Sequence, residues 1–367
     1  MKATRWLASY AIFAALVAEC LILAFATDAF FTESNLANVV RQNAFTAILA
    51  AGMSLVILTG GIDLSVGSVV GLSGVLCADA LVRGAPLSVG VAVGLLVGLA
   101  VGAINGLAVT KLRVPPFIVS LAMMLLVRGA AYKYTNARTI SGLPPSFAAL
   151  SQGALAAATM AAVFALTWVL LMRTPFGRHV YATGGNPEAA WLAGIRVHRV
   201  LLAVYALCGL CAGLAGVLVA SRLNAGYPKA GEFYELDAVT AVVVGGTSLF
   251  GGRGSIWGTL AGAFFIGILN NGLNLFHVET YDQLMVKGVV PVLKAAGLLG
   301  TDGAADLAGH RAREQAAAHA DAPVDAPTVD RHVGLGQGLL PGENVRVDRV
   351  HERPVQVEDE REHRGGV

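Results

Sequence analysis

Charged residues are scarce in this sequence. Asp, Glu, Lys and Arg make up 14% of the 367 residues, whereas a water-soluble domain contains about a quarter. The hydrophobic fraction is 55% and the mean hydropathy is +0.65. A net charge of +2 over this length provides no basic face for nucleic acid. These values exclude a soluble domain and a nucleic-acid-binding protein, and they indicate an integral membrane protein.

Cysteine is also rare, and the Gly-Lys dipeptide is absent. The four cysteines, Cys20, Cys77, Cys208 and Cys211, all fall in apolar segments, so we expect them to pack and not to form disulfides. Without a Gly-Lys pair the chain cannot form a Walker A loop, so any nucleotide must bind to another protein. We predict no catalytic residue, no metal site and no cofactor bound by this chain.

Long apolar runs occupy most of residues 1–300. A membrane helix needs about 20 apolar residues, because its backbone must satisfy its own hydrogen bonds in lipid. We therefore predict an all-α, polytopic membrane protein with about ten transmembrane helices. The predicted spans are Trp6–Ala26, Ala44–Thr59, Leu64–Val82, Leu87–Val109, Phe117–Tyr134, Leu150–Leu171, Val200–Ala220, Leu236–Phe250, Ser255–Phe276 and Leu284–Gly300. We expect the first to be retained and not cleaved as a signal peptide, because Glu19 interrupts its apolar run.

The distribution of Lys and Arg predicts a cytoplasmic N-terminus. That orientation places the following cations inside: Lys2, Arg5, Lys111, Arg113, Arg173, Arg178, Arg196, Arg199 and Arg253. It places fewer outside: Arg41, Arg83, Arg138, Arg222 and Lys229. The excess agrees with the positive-inside rule. Arg128, near the end of the fifth span, is expected to extend to the outer interface.

Glycine follows a regular spacing in the fourth span, where Gly90, Gly94, Gly98, Gly102 and Gly106 recur every four residues. This spacing predicts a helix face without side chains that a neighbouring helix approaches closely. Two further glycine-rich stretches are similar to each other, GGIDLSVGSVVGLSG from Gly60 and GGTSLFGGRGSIWGTLAG from Gly245. Because both fall on the cytoplasmic side of the predicted topology, they indicate an internal pseudo-repeat.

Residues 172–199 form the longest predicted cytoplasmic loop of the membrane domain. Asn186 is a favourable N-cap, Pro187 suits the first helical position, and Glu188 favours the positive end of the helix dipole. We predict a short helix that ends at Gly194 and carries Trp191 and Leu192 outside the membrane. Such a helix either docks on a partner surface or is an ordinary capped loop.

Three motifs that are well separated along the chain resemble those of one transporter family. Glu188-Ala189-Ala190, followed after three residues by Gly194, resembles the EAA loop of ABC importer permeases. Gly184-Gly185-Asn186 and the preceding Thr174–Arg178 segment resemble the ribose-type sugar permeases in particular. Two further stretches share this similarity, LTGGIDLSVGS from Leu58 and VVVGGTSLFGGRGSIWGT from Val242. The similarity covers roughly residues 35 to 290.

The resemblance implies a non-enzymatic membrane subunit of a sugar importer in the bacterial inner membrane. Its implied partners are an ATP-binding ABC subunit, a periplasmic sugar-binding protein, a second permease copy and membrane lipid. ATP and Mg²⁺ would bind to the ATPase. The resemblance assigns the ATPase-coupling role to Gly184, Gly185, Asn186, Pro187, Glu188, Ala189, Ala190 and Gly194.

Polar residues in or next to the spans are candidates for the translocation pathway. Asp63, Asn105, Asn270, Asn271 and Asn274 either contact a passing sugar or bond neighbouring helices and caps; for Asp63 the alternative is the N-cap of the helix at Leu64. A second function class is an ion- or proton-coupled secondary transporter, which usually needs acids buried in the membrane. The acids considered, Glu19, Asp63 and Asp79, are not expected deep in a span.

Residues 301–367 differ in character from the rest of the chain. No aromatic residue follows Tyr281, and five of the eight histidines lie in this segment. Pro291 and Lys294 are expected to break the tenth span. We predict a disordered tail. Either it is a genuine regulatory or metal-binding extension, or the reading frame has shifted near Val290 and replaced an apolar helix.

Overall fold

Helices joined by short connections make up the described chain. A computed structural model describes the backbone of residues 2–152 and 154–295, with side chains in residues 12–152, 154–279 and 281–293. The α-helices are α1 (Lys2–Ala26), α2 (Glu33–Leu58), α3 (Val66–Val82), α4 (Leu87–Lys111), α5 (Pro116–Thr135), α6 (Pro145–Ala148), α7 (Leu155–Arg173), α8 (Pro175–Gly185), α9 (Pro187–Leu192), α10 (Val197–Leu223), α11 (Tyr234–Val244), α12 (Ile256–Leu275) and α13 (Thr280–Ala295). A 3₁₀ turn follows α6, and one isolated bridge joins Ile140 to Gly226. The all-α prediction is confirmed.

Six of the described helices are long and apolar enough to cross a membrane, by length and composition: α2, α4, α5, α7, α10 and α12. Each overlaps one predicted span, although α2 begins at Glu33 and not at the predicted Ala44. The apolar part of α1, Ile12–Ala26, and helix α3 are shorter and coincide with two more. The chain is therefore a multi-pass membrane protein, as its composition predicted.

Two predicted spans differ from the observed helices. Helix α11 has 11 residues and ends at Val244, so at about 1.5 Å per residue it covers roughly half of a bilayer core. It ends because Gly246, at φ 87°, turns the backbone into the left-handed region. Helix α13 continues through Pro291 to Ala295, so this proline does not end it. The predicted tail, residues 301–367, lies outside the described residues and stays a prediction.

Helix α2 lies at the centre of the bundle. It packs against α10, α12, α11 and α7, and nearly all of its second half is buried. Its Gly52 lies directly against Cys208 and Cys211 of α10. All four cysteines are free thiols, and Cys77 and Cys208 are buried.

The glycine face of α4 packs against α10, as its spacing predicted. Gly90, Gly94, Gly98, Gly102 and Gly106 are all buried. A methyl group added at Gly98 would overlap the carbonyl oxygen of Gly209, and one added at Gly102 would overlap that of Tyr205. The two backbones are therefore in direct contact, and their dispersion attraction holds the helices together where lipid supplies no hydrophobic drive.

The opposite face of α4 is apolar and exposed. Val89, Leu96, Leu99, Ile104 and Leu107 are between 37% and 62% exposed. In a multi-pass protein such a face contacts lipid or another membrane chain. The two faces of α4 therefore have different partners, although its composition is apolar all round.

The α4–α10 contact predicts a large difference between two glycines. We expect Gly102→Leu to destabilise the protein by about 3 kcal/mol or more, because the new side chain must separate the two backbones. Gly129→Leu in α5 is the matched control, since no heavy atom lies within 4 Å of a methyl group added there. Thermal unfolding of the two purified variants in detergent measures the difference. Equal melting temperatures would contradict the proposed packing.

Candidate functional site

Residues 174–196 form two short helices joined at Asn186. The Asn186 side-chain oxygen accepts hydrogen bonds from the backbone N–H groups of Glu188 and Ala189, both at 2.9 Å. The predicted N-cap of α9 is therefore present. Gly194, at φ 84°, follows the last turn of α9 and reverses the chain toward α10. The start and the end of this helix agree with the sequence prediction.

Helix α9 presents its large apolar side chains outward. Trp191 is 67% exposed and Leu192 is 78% exposed, whereas Ala190 is buried. The helix thus uses a small residue against the protein and leaves its bulky residues free. This arrangement is the reverse of an ordinary surface helix, and it provides an apolar surface for a partner.

Helix α8 is fixed to the body of the protein by backbone contacts at Gly184. A methyl group added at this glycine would overlap the carbonyl oxygen of Leu58 and meet the Gly252 nitrogen at 2.6 Å. The Gly252 N–H donates a hydrogen bond of 2.9 Å to the same Leu58 oxygen. In addition, the Tyr181 hydroxyl donates to the Gly254 carbonyl at 3.0 Å. The end of α8 therefore contacts two separate breaks between helices.

These two breaks are the similar glycine-rich stretches of the sequence. The first follows α2 and includes Gly60, and the second lies between α11 and α12 and includes Gly251. Gly251 lies against the backbone nitrogen of Gly60. All three motifs that carried the family resemblance therefore meet at one end of the bundle. That the two glycine-rich stretches form an internal pseudo-repeat stays a prediction.

Asp63 lies in the first break and is only 1% exposed. Its carboxylate accepts hydrogen bonds from the N–H of Ser65 at 2.9 Å and from the Ser65 hydroxyl at 2.6 Å. The Asn105 amide of α4 donates to the same carboxylate at 3.3 and 3.4 Å. Helix α3 begins at Val66 and not at Leu64, so Asp63 holds the turn before the helix and links it to α4. The structure thus brings together two of the predicted pathway residues.

The three asparagines of α12 lie elsewhere, near its C-terminal end. Asn271 and Asn35 exchange two amide hydrogen bonds, at 2.8 and 3.0 Å, which join α12 to the start of α2. Asn274 accepts from the Gln283 amide at 2.9 Å. The contacts of Asn271 and Asn274 lie within the protein, as in the helix-bonding alternative, whereas the Asn270 side-chain oxygen is buried without a hydrogen-bond partner among the described residues. The structure therefore places Asn270, Asn271 and Asn274 apart from Asp63 and Asn105.

A cavity that the sequence did not reveal opens at the C-terminal end of α10. It has a volume of about 600 Å³ and lies among α2, α10 and the connection to α11. Its aromatic and polar lining includes Phe45, Tyr227, Tyr234, Arg222, Gln42, Lys229 and Glu232. Aromatic faces beside hydrogen-bonding groups suit a small polar ligand. These residues come from three separate segments, so no local pattern predicted the cavity.

Charged groups near this cavity are more deeply placed than we predicted. The Arg128 guanidinium donates to the carbonyls of Pro228 and Ala230, both at 2.8 Å, and to Gly67 at 3.1 Å, so it joins helices and does not extend to the interface. Asp237 is buried and pairs with Lys287 at 3.1 Å. Glu235 is also buried, and neither Glu235 nor Asp237 was among the acids that the sequence argument considered.

The Gly184 contact predicts a difference between adjacent glycines at the end of α8. We expect Gly184→Ala to lower stability by about 1–3 kcal/mol, because its methyl group meets rigid backbone. Gly185→Ala is the control, since a methyl group there has no heavy atom within 4 Å. The gain in helix propensity is the same for both substitutions. Thermal unfolding of the purified variants tests this, and an unchanged Gly184→Ala protein would rule out the backbone contact.

Known proteins are similar to this chain over most of their length. The ribose import permease protein RbsC of Bacillus subtilis is 47% identical over 277 residues, covering 74% of this chain and 86% of the relative. RbsC of Escherichia coli K12 is 45% identical over 297 residues, covering 78% and 92%. The xylose transport system permease protein XylH of Escherichia coli K12 is 38% identical, covering 77% and 90%. No solved structure matches the chain.

The match to a family model covers the same region. The family described as branched-chain amino acid transport system, permease component, matches residues 35–293. This range includes all three motifs and both helix breaks. The similarities favour a permease over an ion- or proton-coupled secondary transporter. The chain therefore belongs to this permease family, as a membrane transport subunit similar to the ribose-type ABC importer permeases and not as an enzyme.

Proposed function

We propose that this chain forms the translocation pathway of an ATP-driven monosaccharide importer and that α9 docks on a separate ATPase. The observation that carries the docking role is the exposed Trp191–Leu192 pair on α9. The preceding helix, α8, contacts both breaks through Gly184. The names of the relatives, ribose import and xylose transport permeases, support a sugar as the solute. ATP and Mg²⁺ bind to the ATPase and not to this chain.

Movement of α9 reaches the membrane helices by two routes. Through Gly194 it continues directly into α10, which packs on α4 by backbone contact. Through α8 and Gly184 it presses on Leu58 at the end of α2 and on Gly252 before α12. When the ATPase pair closes, this displacement shifts α2, α10 and α12 together and changes which end of the pathway is open.

The solute enters at the other end of α10, in the cavity lined by Phe45, Tyr227 and Tyr234. A periplasmic sugar-binding protein delivers the sugar to this end. A second permease copy completes the transporter by packing on exposed apolar faces such as those of α4 and α5, where Leu125 and Leu126 are 66% and 67% exposed. The N-terminus and residues 172–199 face the cytoplasm.

Removal of the exposed pair on α9 tests the ATPase docking. We expect Trp191→Ser/Leu192→Ser to abolish co-purification of the ATPase with the detergent-solubilised permease, because the apolar docking surface is lost. Phe276→Ser/Tyr281→Ser is the matched control, since its residues are 49% and 78% exposed beyond the end of α12. ATPase retention by the α9 variant, or equal loss from both, would contradict the docking role.

The cavity at the C-terminal end of α10, here called the outer cavity, predicts a loss of sugar uptake that is independent of ATPase docking. We expect Tyr227→Ala to lower sugar uptake at least about tenfold in vesicles containing the complete transporter, because an aromatic contact to the sugar is lost, while the ATPase still co-purifies. Tyr132→Ala is the control, because Tyr132 and Tyr227 are similarly exposed, at 36% and 41%, and Tyr132 is not one of the residues that line the cavity. Normal uptake by the Tyr227 variant would place the solute pathway elsewhere.

A further inference from the structure

A second groove lies at the α9 end of α10, on the opposite end of that helix from the outer cavity. It has a volume of about 670 Å³ and is lined by the last turn of α4 and by the turn that leads from α9 into α10. Four of its lining residues are permanent cations: Lys111, Arg113, Arg196 and Arg199. His198 also lines it, and no Asp or Glu does.

The cations come from two separate segments and converge without a counter-charge. Lys111 is the last residue of α4 and Arg113 follows it, whereas Arg196 precedes α10 and Arg199 lies in its first turn. All four are exposed, and within the described residues none has an ion pair or a side-chain hydrogen bond. Positive charges held close together repel each other, so the groove favours an anion.

One wall of the groove is apolar and continues along a membrane helix. Leu107 of α4 lines it and is 45% exposed, and Ile104, one turn further into α4, is 50% exposed. Trp191 also lines the groove and is 67% exposed, and tryptophan is a residue type enriched at membrane interfaces. The surface therefore passes from charged to apolar in the direction of the membrane interior.

We propose that this groove binds the headgroup of an anionic phospholipid of the cytoplasmic leaflet. Guanidinium groups bind phosphate through paired hydrogen bonds, and basic pockets between membrane helices on this side suit anionic headgroups. The acyl chains lie along Ile104 and Leu107. An acidic protein surface would neutralise the cations but would leave this apolar wall uncovered. The inference uses the cytoplasmic placement of residues 172–199, which is part of the proposed function, and not the ATPase partnership.

A bound lipid would also affect α9. Trp191 and Gly194 belong to both the groove and the end of that helix. A headgroup held between α4 and α10 would therefore fix the position of α9 relative to the membrane surface, and anionic lipid would strengthen the response to the ATPase.

Native mass spectrometry of the purified full chain with added phosphatidylglycerol or phosphatidylcholine tests this site. We expect wild type to bind phosphatidylglycerol preferentially. Arg113→Gln/Arg196→Gln/Arg199→Gln should lose that preference by at least about tenfold in apparent affinity, because three cations near the headgroup are removed. Arg113→Lys/Arg196→Lys/Arg199→Lys, which keeps the charge, should retain it and shows that the loop is intact.

The matched control removes three cations at the other end of the bundle, as Arg83→Gln/Lys133→Gln/Arg138→Gln. Equal loss of preference in both Gln triples, or an unchanged preference in the groove triple, overturns the proposal. Displacement of the lipid by excess inorganic phosphate alone would show a phosphate site and not a lipid site. If the groove triple loses the ATPase but keeps its lipid preference, the groove contacts protein, and the lipid proposal fails while the proposed transport function stands.

Discussion

Direct contact between helix backbones is the constraint on which this structure depends. In lipid the helices gain little from burying apolar side chains against each other, so close approach and dispersion must hold them together. Glycine alone permits that approach at Gly98 and Gly102 of α4, where the neighbour is the backbone of α10. Because only a short turn separates α9 from α10, this contact also connects α4 to the segment that carries the exposed pair.

The same kind of backbone contact, at the end of α8, joins the Gly184 segment to two distant parts of the chain. Gly184 touches Leu58 and Gly252, which are 194 residues apart in sequence and are joined by a hydrogen bond of 2.9 Å. A larger side chain there would separate α8 from both breaks. In the proposed mechanism, a force on the exposed apolar pair of α9 reaches the membrane helices only because Gly184 holds the end of α8 closely against them.

Many of the polar side chains have one of two physical roles. Asp63 with Asn105, and Asn35 with Asn271, bond to each other inside the protein and so offset the cost of burying amides and a carboxylate. The aromatic and charged residues around Tyr227 instead line open space. A polar residue in an apolar span is thus a weak guide to the solute pathway, since pairing within the protein satisfies it equally well.

The sequence by itself determined the class, most helices and the limits of the short helix α9. Apolar length specified the spans, the four-residue glycine spacing specified the packed face of α4, and Asn186 and Gly194 specified the limits of α9, because each of these signals acts within a few residues. Tertiary structure decided the rest. The meeting of Gly184 with two distant breaks, the end of α11 at Val244 and both cavities depend on segments far apart in sequence, and only their packing brings the groups within contact distance.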